Sequence, residues 1–184
     1  MKNLSLILLA VVVAFADARY TTYEPVVEQL YFLGNDIRKD PSIIADTLSG
    51  DAADYVNSRG KAKNLEWSDG LARGCRDLVL DNGPYGIEGH STSRGKDQFD
   101  RAAIYTSYAG GLQEVVVYDQ IDDIAADDRE AMQVYKNMMN NAKEREALFN
   151  ADFTHVGISC GCHATKEEMC CFAYGKDVID KRGI

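Results

Sequence analysis

The residues best equipped for chemistry crowd the last third of the chain: Cys160, Cys162, Cys170 and Cys171, with His155 and His163 close by and a fifth cysteine, Cys75, far upstream. Such thiols can close disulfides or, as thiolates, hold a soft metal. Cys160-Gly161-Cys162-His163 would offer soft ligands, but the spacings match no usual zinc knuckle, and an oxidising compartment favours disulfides. If the cysteines sit on paired strands, alternation puts Cys160 and Cys162 on one face and the adjacent Cys170 and Cys171 on opposite faces. All four then cannot pair symmetrically across one hairpin. Cys75 is a candidate partner for one of them or a buried thiol, and five cysteines leave at least one outside intrachain pairs.

A second group is His90 with Ser91 and Ser93 in a stretch rich in Gly and Ser. A serine beside a histidine invites a hydrolase reading, yet the chain has no nucleophile elbow, no His-Glu-x-x-His and no phosphate loop. His155 lies within an apolar strand phrase and reads as a structural histidine, while His163 reads as an exposed turn residue. Trp67, just ahead of a helix start, reads as a core anchor.

The elements that must position these residues follow from periodicity. Val26, Val27, Leu30, Tyr31 and Leu33 recur at helical spacing, and the helix should stop at Asp40-Pro41. Pro41 opens a second helix that Ser49-Gly50 interrupts. Ser68-Asp69 caps a central helix carrying Leu71, Ala72, Cys75, Leu78 and Leu80, ended by Asp81-Asn82-Gly83-Pro84. Pro84 to Lys96 is a long loop of the kind that carries function, and it holds His90. Phe99 to Tyr108 predicts a short helix, and Val115 to Tyr118 a buried strand. Tyr105, Tyr108 and Tyr118 are expected to pack on the sheet. Asp122 to Glu130 leads into a helix with Ala131, Val134, Tyr135, Met138 and Ala142 on its buried stripe. Phe149 to Ile158 reads as a strand, followed by a cysteine-linked turn and a returning strand. Helices first, then strands interleaved with one helix, predict an α/β sandwich with an antiparallel sheet.

Lys2, the apolar run Leu4 to Ala16 and the small-x-small site Ala16-Asp17-Ala18 make residues 1–18 a secretory signal peptide, leaving residues 19–184 as one domain. That apolar run is shorter than the roughly 20 residues that span a bilayer, so no membrane span is expected. The net charge of −9 argues against nucleic acid and anionic membrane surfaces as partners, and Arg59, Lys61 and Lys63 read as a solvated turn. The expected location is outside the cell.

Leu65-Glu66-Trp67-Ser68, Gly89-His90-Ser91, Phe99-Asp100-Arg101 and Phe149 to Gly157 together resemble the signature of the CAP domain. This is the superfamily of sperm-coating proteins, cysteine-rich secretory proteins, insect antigen 5 and plant pathogenesis-related proteins. Asn35 to Pro41 is similar to that family's opening helix, and the closest variant is the microbial one without a cysteine-rich tail. The resemblance implies a three-layer α-β-α sandwich with a central cleft where two histidines and two acids can bind a divalent cation. His90 resembles the first histidine and Glu114 the first acid, though Val115 stands where Asn is expected. The second histidine is replaced by Glu144 in Lys143-Glu144-Arg145, and the second acid falls near Lys136-Asn137 and is missing. His90, Glu114 and Glu144 are thus the candidate metal ligands of a degenerate tetrad, with Lys136 a competing positive charge. That set is poor for zinc and too small for calcium without water, so no cofactor is expected beyond a weakly held divalent cation. The resemblance implies a non-enzymatic binding module for an extracellular ligand, lipid, sterol or protein. The alternatives are a metal-dependent hydrolase or protease, and a structural protein of a secreted coat or granule cross-linked through the odd cysteine.

Overall fold

The computed structural model describes residues 24–119 and 128–182. The expected signal peptide, residues 1–18, lies outside the described residues, as does the acidic run up to Asp127. In chain order the elements are α1 (Glu24–Lys39), α2 (Ser42–Ala45), α3 (Gly50–Asn57), β1 (Glu66–Trp67) and α4 (Asp69–Asn82), which runs into a 3-10 turn (Gly83–Tyr85). Then come α5 (Gln98–Tyr105), β2 (Thr106–Tyr108), β3 (Leu112–Asp119), α6 (Asp128–Asn140), α7 (Arg145–Phe149), β4 (His155–His163), β5 (Glu167–Gly175) and β6 (Val178–Asp180).

Local chemistry accounts for the boundaries. The Ser68 hydroxyl accepts the Leu71 N–H at 3.1 Å and starts α4. Asp97 accepts the N–H groups of Phe99 and Asp100, and Asp100 answers to the Asp97 N–H, a capping box that starts α5. The helix predicted from Phe99 to Tyr108 ends at Tyr105, because Thr106 to Tyr108 pair antiparallel with β6. Ser49-Gly50 separates two short helices, with Gly50 at φ +60° just ahead of a helical turn whose buried face is only Ala52 and Val56. That stripe is too short for periodicity to reveal.

Four strands form one sheet in the order β1-β4-β5-β3, with β4/β5 and β3/β5 antiparallel and β1/β4 parallel. One face carries α1, α6 and the short helices around Leu30, Tyr135, Met138 and Phe172; the other carries α4 and α5 around Leu71, Leu78 and Val116. This is the expected three-layer α-β-α sandwich. Buried Arg38, at the end of α1, ties the first layer together: its guanidinium donates to the carbonyls of Lys63, Leu148 and Asn150. Hydrogen bonds from a charged group are worth about 1.5–3 kcal/mol each, so this one side chain fixes the loop ahead of β1 and the end of α7.

Period-two alternation separates the cysteines as expected. Cys160 and Cys170, directly opposite across β4 and β5, join on the α1/α6 face, and Cys171 points the other way and joins Cys75 of α4. The expected cysteine-linked turn is therefore corrected: all four C-terminal cysteines sit within strands, and Cys162 is the one outside the two bonds. The sulfurs of Cys75, Cys171, Cys160 and Cys170 also come near Glu114 or Glu168 in metal-like clusters, but disulfide sulfurs are no longer thiolates. The Cys75–Cys171 bond spans 96 residues against 10 for Cys160–Cys170. Chain entropy therefore favours the longer link, roughly 5 against 3 kcal/mol.

Other expectations are overturned. The strand predicted from Phe149 begins at His155, because Arg145–Phe149 forms α7 and buries Leu148 and Phe149 as a helix. Trp67 is no core anchor: it lies on the edge strand, 36% exposed, with its indole N–H on Asp69 at 2.7 Å. His163 is not exposed but 3% accessible, its ring edge-on to Tyr118 at 5.1 Å. Leu80, assigned to the apolar face of the central helix, points to solvent.

The layers meet most closely at Gly157 of β4, where a Cβ would come within 2.5 Å of the Leu71 carbonyl carbon and 2.6 Å of Leu71 Cβ. Backbone cannot yield as a flexible side chain can. Gly157→Ala is expected to lower unfolding free energy by about 3 kcal/mol or more in urea titrations, beyond ordinary overpacking. Gly60→Ala, which meets nothing within 4 Å, should change it by less than about 0.5 kcal/mol.

Candidate functional site

Strand β3 turns Leu112, Glu114 and Val116 towards α4 and α5, so Glu114 sits among apolar neighbours and is 7% exposed. A buried carboxylate needs a counter-charge. Arg101 of α5, 1% exposed, provides it through an Nη2 ion pair with Glu114 Oε2. The same guanidinium donates to the Gly74 carbonyl at 3.1 Å, the His90 carbonyl at 2.9 Å and the Lys96 carbonyl at 3.0 Å. One side chain thus neutralises the acid and pins both ends of the loop segment that carries His90.

Other contacts hold that loop. The Tyr118 hydroxyl accepts the Gly89 N–H at 2.8 Å, and Gly89 adopts φ +108°, a conformation open to glycine. His163 Nε2 lies 3.2 Å from the Ile87 carbonyl, and Asn82 donates to the Ser91 carbonyl at 3.0 Å. The result is a His90 ring with Nδ1 3.1 Å from Glu114 Oε1 and half of its surface in solvent. Its pKa is raised, chiefly by the hydrogen bond to Glu114, against burial, which lowers it.

Glu144 closes on the group from the turn before α7, beside β3, where Gln113 donates to the Lys143 carbonyl at 3.3 Å. Burial raises its carboxyl pKa and the charge of His90 opposes that rise. Among the described residues no hydrogen bond joins Glu144 to His90 or Glu114. The structure therefore places His90 on Glu114 and leaves Glu144 at electrostatic range. Lys136 makes no ion pair with the group among the described residues. Arg101 takes the place of the competing cation, and it went unrecognised as a site residue in the sequence. A signal was present: Glu114 alternates with Leu112 and Val116 on one strand face, and such a carboxylate demands a buried base.

Chemically, this set does not suit a metal. Glu114 has one oxygen on Arg101 and the other on His90, so a dication held by both oxygens would have to displace a guanidinium that also holds three carbonyls, and one held by Oε1 alone would compete with the His90 hydrogen bond beside the fixed positive charge of Arg101. The His90 Nδ1 on Glu114 matches the acid–histidine half of a hydrolase triad, but among the described residues no serine hydroxyl hydrogen-bonds to His90, and the Ser93 hydroxyl donates to Asp81 at 3.0 Å.

Arg101→Met leaves Glu114 buried without its counter-charge and is expected to cost about 3–5 kcal/mol in chemical denaturation, while Arg101→Met with Glu114→Leu should recover much of that loss. Because the folded pKa of His90 is raised, its contribution to stability is complete below its unfolded value of 6.5 and disappears as pH climbs through the folded value. Stability measured from pH 6 to 9 should fall in the parent protein, and His90→Asn should flatten that part of the profile.

Comparison with known proteins gives the family. The model of the CAP, cysteine-rich secretory protein, family matches residues 32–174. A search of curated proteins returned no match. The fold is similar to an outer surface protein of Borrelia burgdorferi, with TM-score 0.63 and 15% identity over 86% of this chain and 98% of that one. It is also similar to an extracellular SCP-domain protein of Bacillus anthracis, with TM-score 0.55 and 15% identity over 82% of this chain and 40% of that one. With its α-β-α layers and with the family model covering most of its length, the chain belongs to the CAP family.

Proposed function

We propose that this protein is exported and acts outside the cell as a non-enzymatic CAP binding module, whose ligand is a lipid, a sterol or another protein. Export is supported by the leader-like residues 1–18 and by two disulfides buried in the sandwich, bonds that persist in oxidising compartments. Among the described residues no helix is long and apolar enough to cross a membrane.

One observation carries the non-enzymatic reading: Glu114 is already neutralised by Arg101, so the centre of the cleft holds an internal cation in place of an exchangeable one. His90 and Glu144 remain as a half-exposed polar rim able to recognise a ligand's hydroxyl or amide, and among the described residues no serine or cysteine side chain hydrogen-bonds to either. His90 then works as an orienting donor whose charge follows pH.

Native mass spectrometry of the mature protein, with and without chelator, tests this. The expected spectrum shows two disulfides, no chelator-sensitive metal and, when the protein is taken from its secretory source, a bound organic adduct that His90→Ala weakens. A stoichiometric divalent ion removed by chelator, and lost in Glu114→Gln, would overturn the reading in favour of a working metal site.

A further inference from the structure

A cavity of about 320 Å³ opens between α4 and the turn that precedes α5. One wall is Asp77, Leu80 and Asp81, spaced i, i+3, i+4 and so on one face of α4. The other is Thr92, Arg94 and Lys96, and the buried Arg101 of α5 also lines the cavity. Hydrogen bonds fix the turn. The Thr92 N–H donates to the Lys96 carbonyl at 3.0 Å, the Gly95 N–H to the Thr92 carbonyl at 2.8 Å and the Lys96 N–H to the Thr92 hydroxyl at 3.1 Å, with Gly95 at φ +76°. Asp81 accepts both the N–H and the hydroxyl of Ser93, and Arg101 holds the Lys96 carbonyl at 3.0 Å. Arg94 and Lys96 therefore project from a backbone tied to both helices.

The charges around this cavity balance without meeting. Asp77 accepts the Tyr105 hydroxyl at 2.9 Å and Asp81 accepts Ser93, all neutral donors, so both acids keep their charge. Among the described residues no ion pair joins either acid to Arg94 or Lys96. Arg101 is already neutralised by Glu114. Two negative charges thus line one wall and two positive charges the other. A carboxylate has about four lone-pair sites, so Asp77 and Asp81 can accept further hydrogen bonds, while Arg94 and Lys96 can donate them.

We propose that this cavity binds a small zwitterion, a primary ammonium and a phosphate joined by a two-carbon bridge. The ammonium lies on Asp77 and Asp81, the bridge on Leu80 and the phosphate on Arg94 and Lys96. A ligand of one charge would face like charge on one wall, whereas a zwitterion complements both. A sphere of the cavity's volume is roughly 8.5 Å across, too wide for an α-amino acid, whose two charged groups share one carbon, to meet both walls. The guanidinium of Arg94 offers the paired N–H donors that suit phosphate. The ammonium is primary because quaternary ammonium is recognised by aromatic faces, and among the described residues no aromatic side chain lines the cavity. The same chemistry exists free, as phosphoethanolamine, and as a phospholipid head group. Neither His90 nor Glu144 takes part, so the proposal does not rest on the reading of that rim.

The test titrates the mature protein with phosphoethanolamine by calorimetry, beside ethanolamine, inorganic phosphate and phosphocholine at equal ionic strength. Saturable binding of phosphoethanolamine is expected, at least tenfold tighter than that of each of the other three. Arg94→Gln should weaken it at least tenfold. Asp77→Asn, whose amide oxygen still accepts the Tyr105 hydroxyl, should weaken it as much while inorganic phosphate binds no less well than to the parent. Both variants should keep the parent melting curve. Cosedimentation with phosphatidylcholine vesicles, with and without phosphatidylethanolamine, identifies the source: pelleting that requires phosphatidylethanolamine assigns a lipid head group, and binding of the free compound alone assigns a soluble ligand, either of which upholds the proposal. It is overturned by no saturable binding, by inorganic phosphate binding as tightly as phosphoethanolamine, or by binding indifferent to Arg94→Gln or to Asp77→Asn.

Discussion

The contact on which most of this structure depends is that of α4 against β4 at Gly157, where helix backbone and strand backbone come together with no side chain between them. Such proximity lets Cys75 of α4 reach Cys171 across the neighbouring strand, and it aligns the helix with the sheet from Ala72 beside Gly157 to Gly83 beside the Cys162 carbonyl. The helix that is thereby fixed serves both sites. Its Gly74 carbonyl receives Arg101 on the way to Glu114, and its Asp77 and Asp81 form one wall of the cavity beside the Thr92 turn. Loosening this one contact would loosen both.

The second organising force is electrostatic. Glu114 stands on the apolar side of β3, where an uncompensated carboxylate costs several kcal/mol, and Arg101 supplies the compensation through a guanidinium whose other N–H groups shape the loop of His90. Folding of the loop and neutralisation of the acid are therefore one event. The placement of His90 rests on this arrangement, because the fixed charge of Arg101 ties the acid to the carbonyls at both ends of the His90 segment. Arginine suits this role better than lysine because its planar fork satisfies an acid and several carbonyls at once.

Legibility in the sequence followed the range of the interactions. Ser68 as a cap, Pro41 as a break and Val115 to Val117 as a buried run were readable because each acts within a few residues. Alternation also foretold that Cys170 and Cys171 would part to opposite faces. Trp67 and His163 were misjudged for one shared reason: their burial is set by neighbours distant in sequence. Trp67 sits on the two-residue edge strand, where Tyr31 packs on it but no further strand among the described residues covers it, and His163 is covered by Tyr118 of β3 and the loop at Ile87. Helix α7 was missed because 5 residues carry too little periodicity, and its helical state is decided by Arg38, which binds the Leu148 carbonyl from far upstream.

The sequence by itself determined the layers, the order of helices and strands and the family, since all of these are written in local periodicity, capping and residue identity. Tertiary structure alone decided which cysteine Cys75 joins and that Arg101 and not Lys136 meets the acid. Those outcomes depend on which residues far apart in the chain are brought within a few ångströms, and only the packing of the three layers sets those distances.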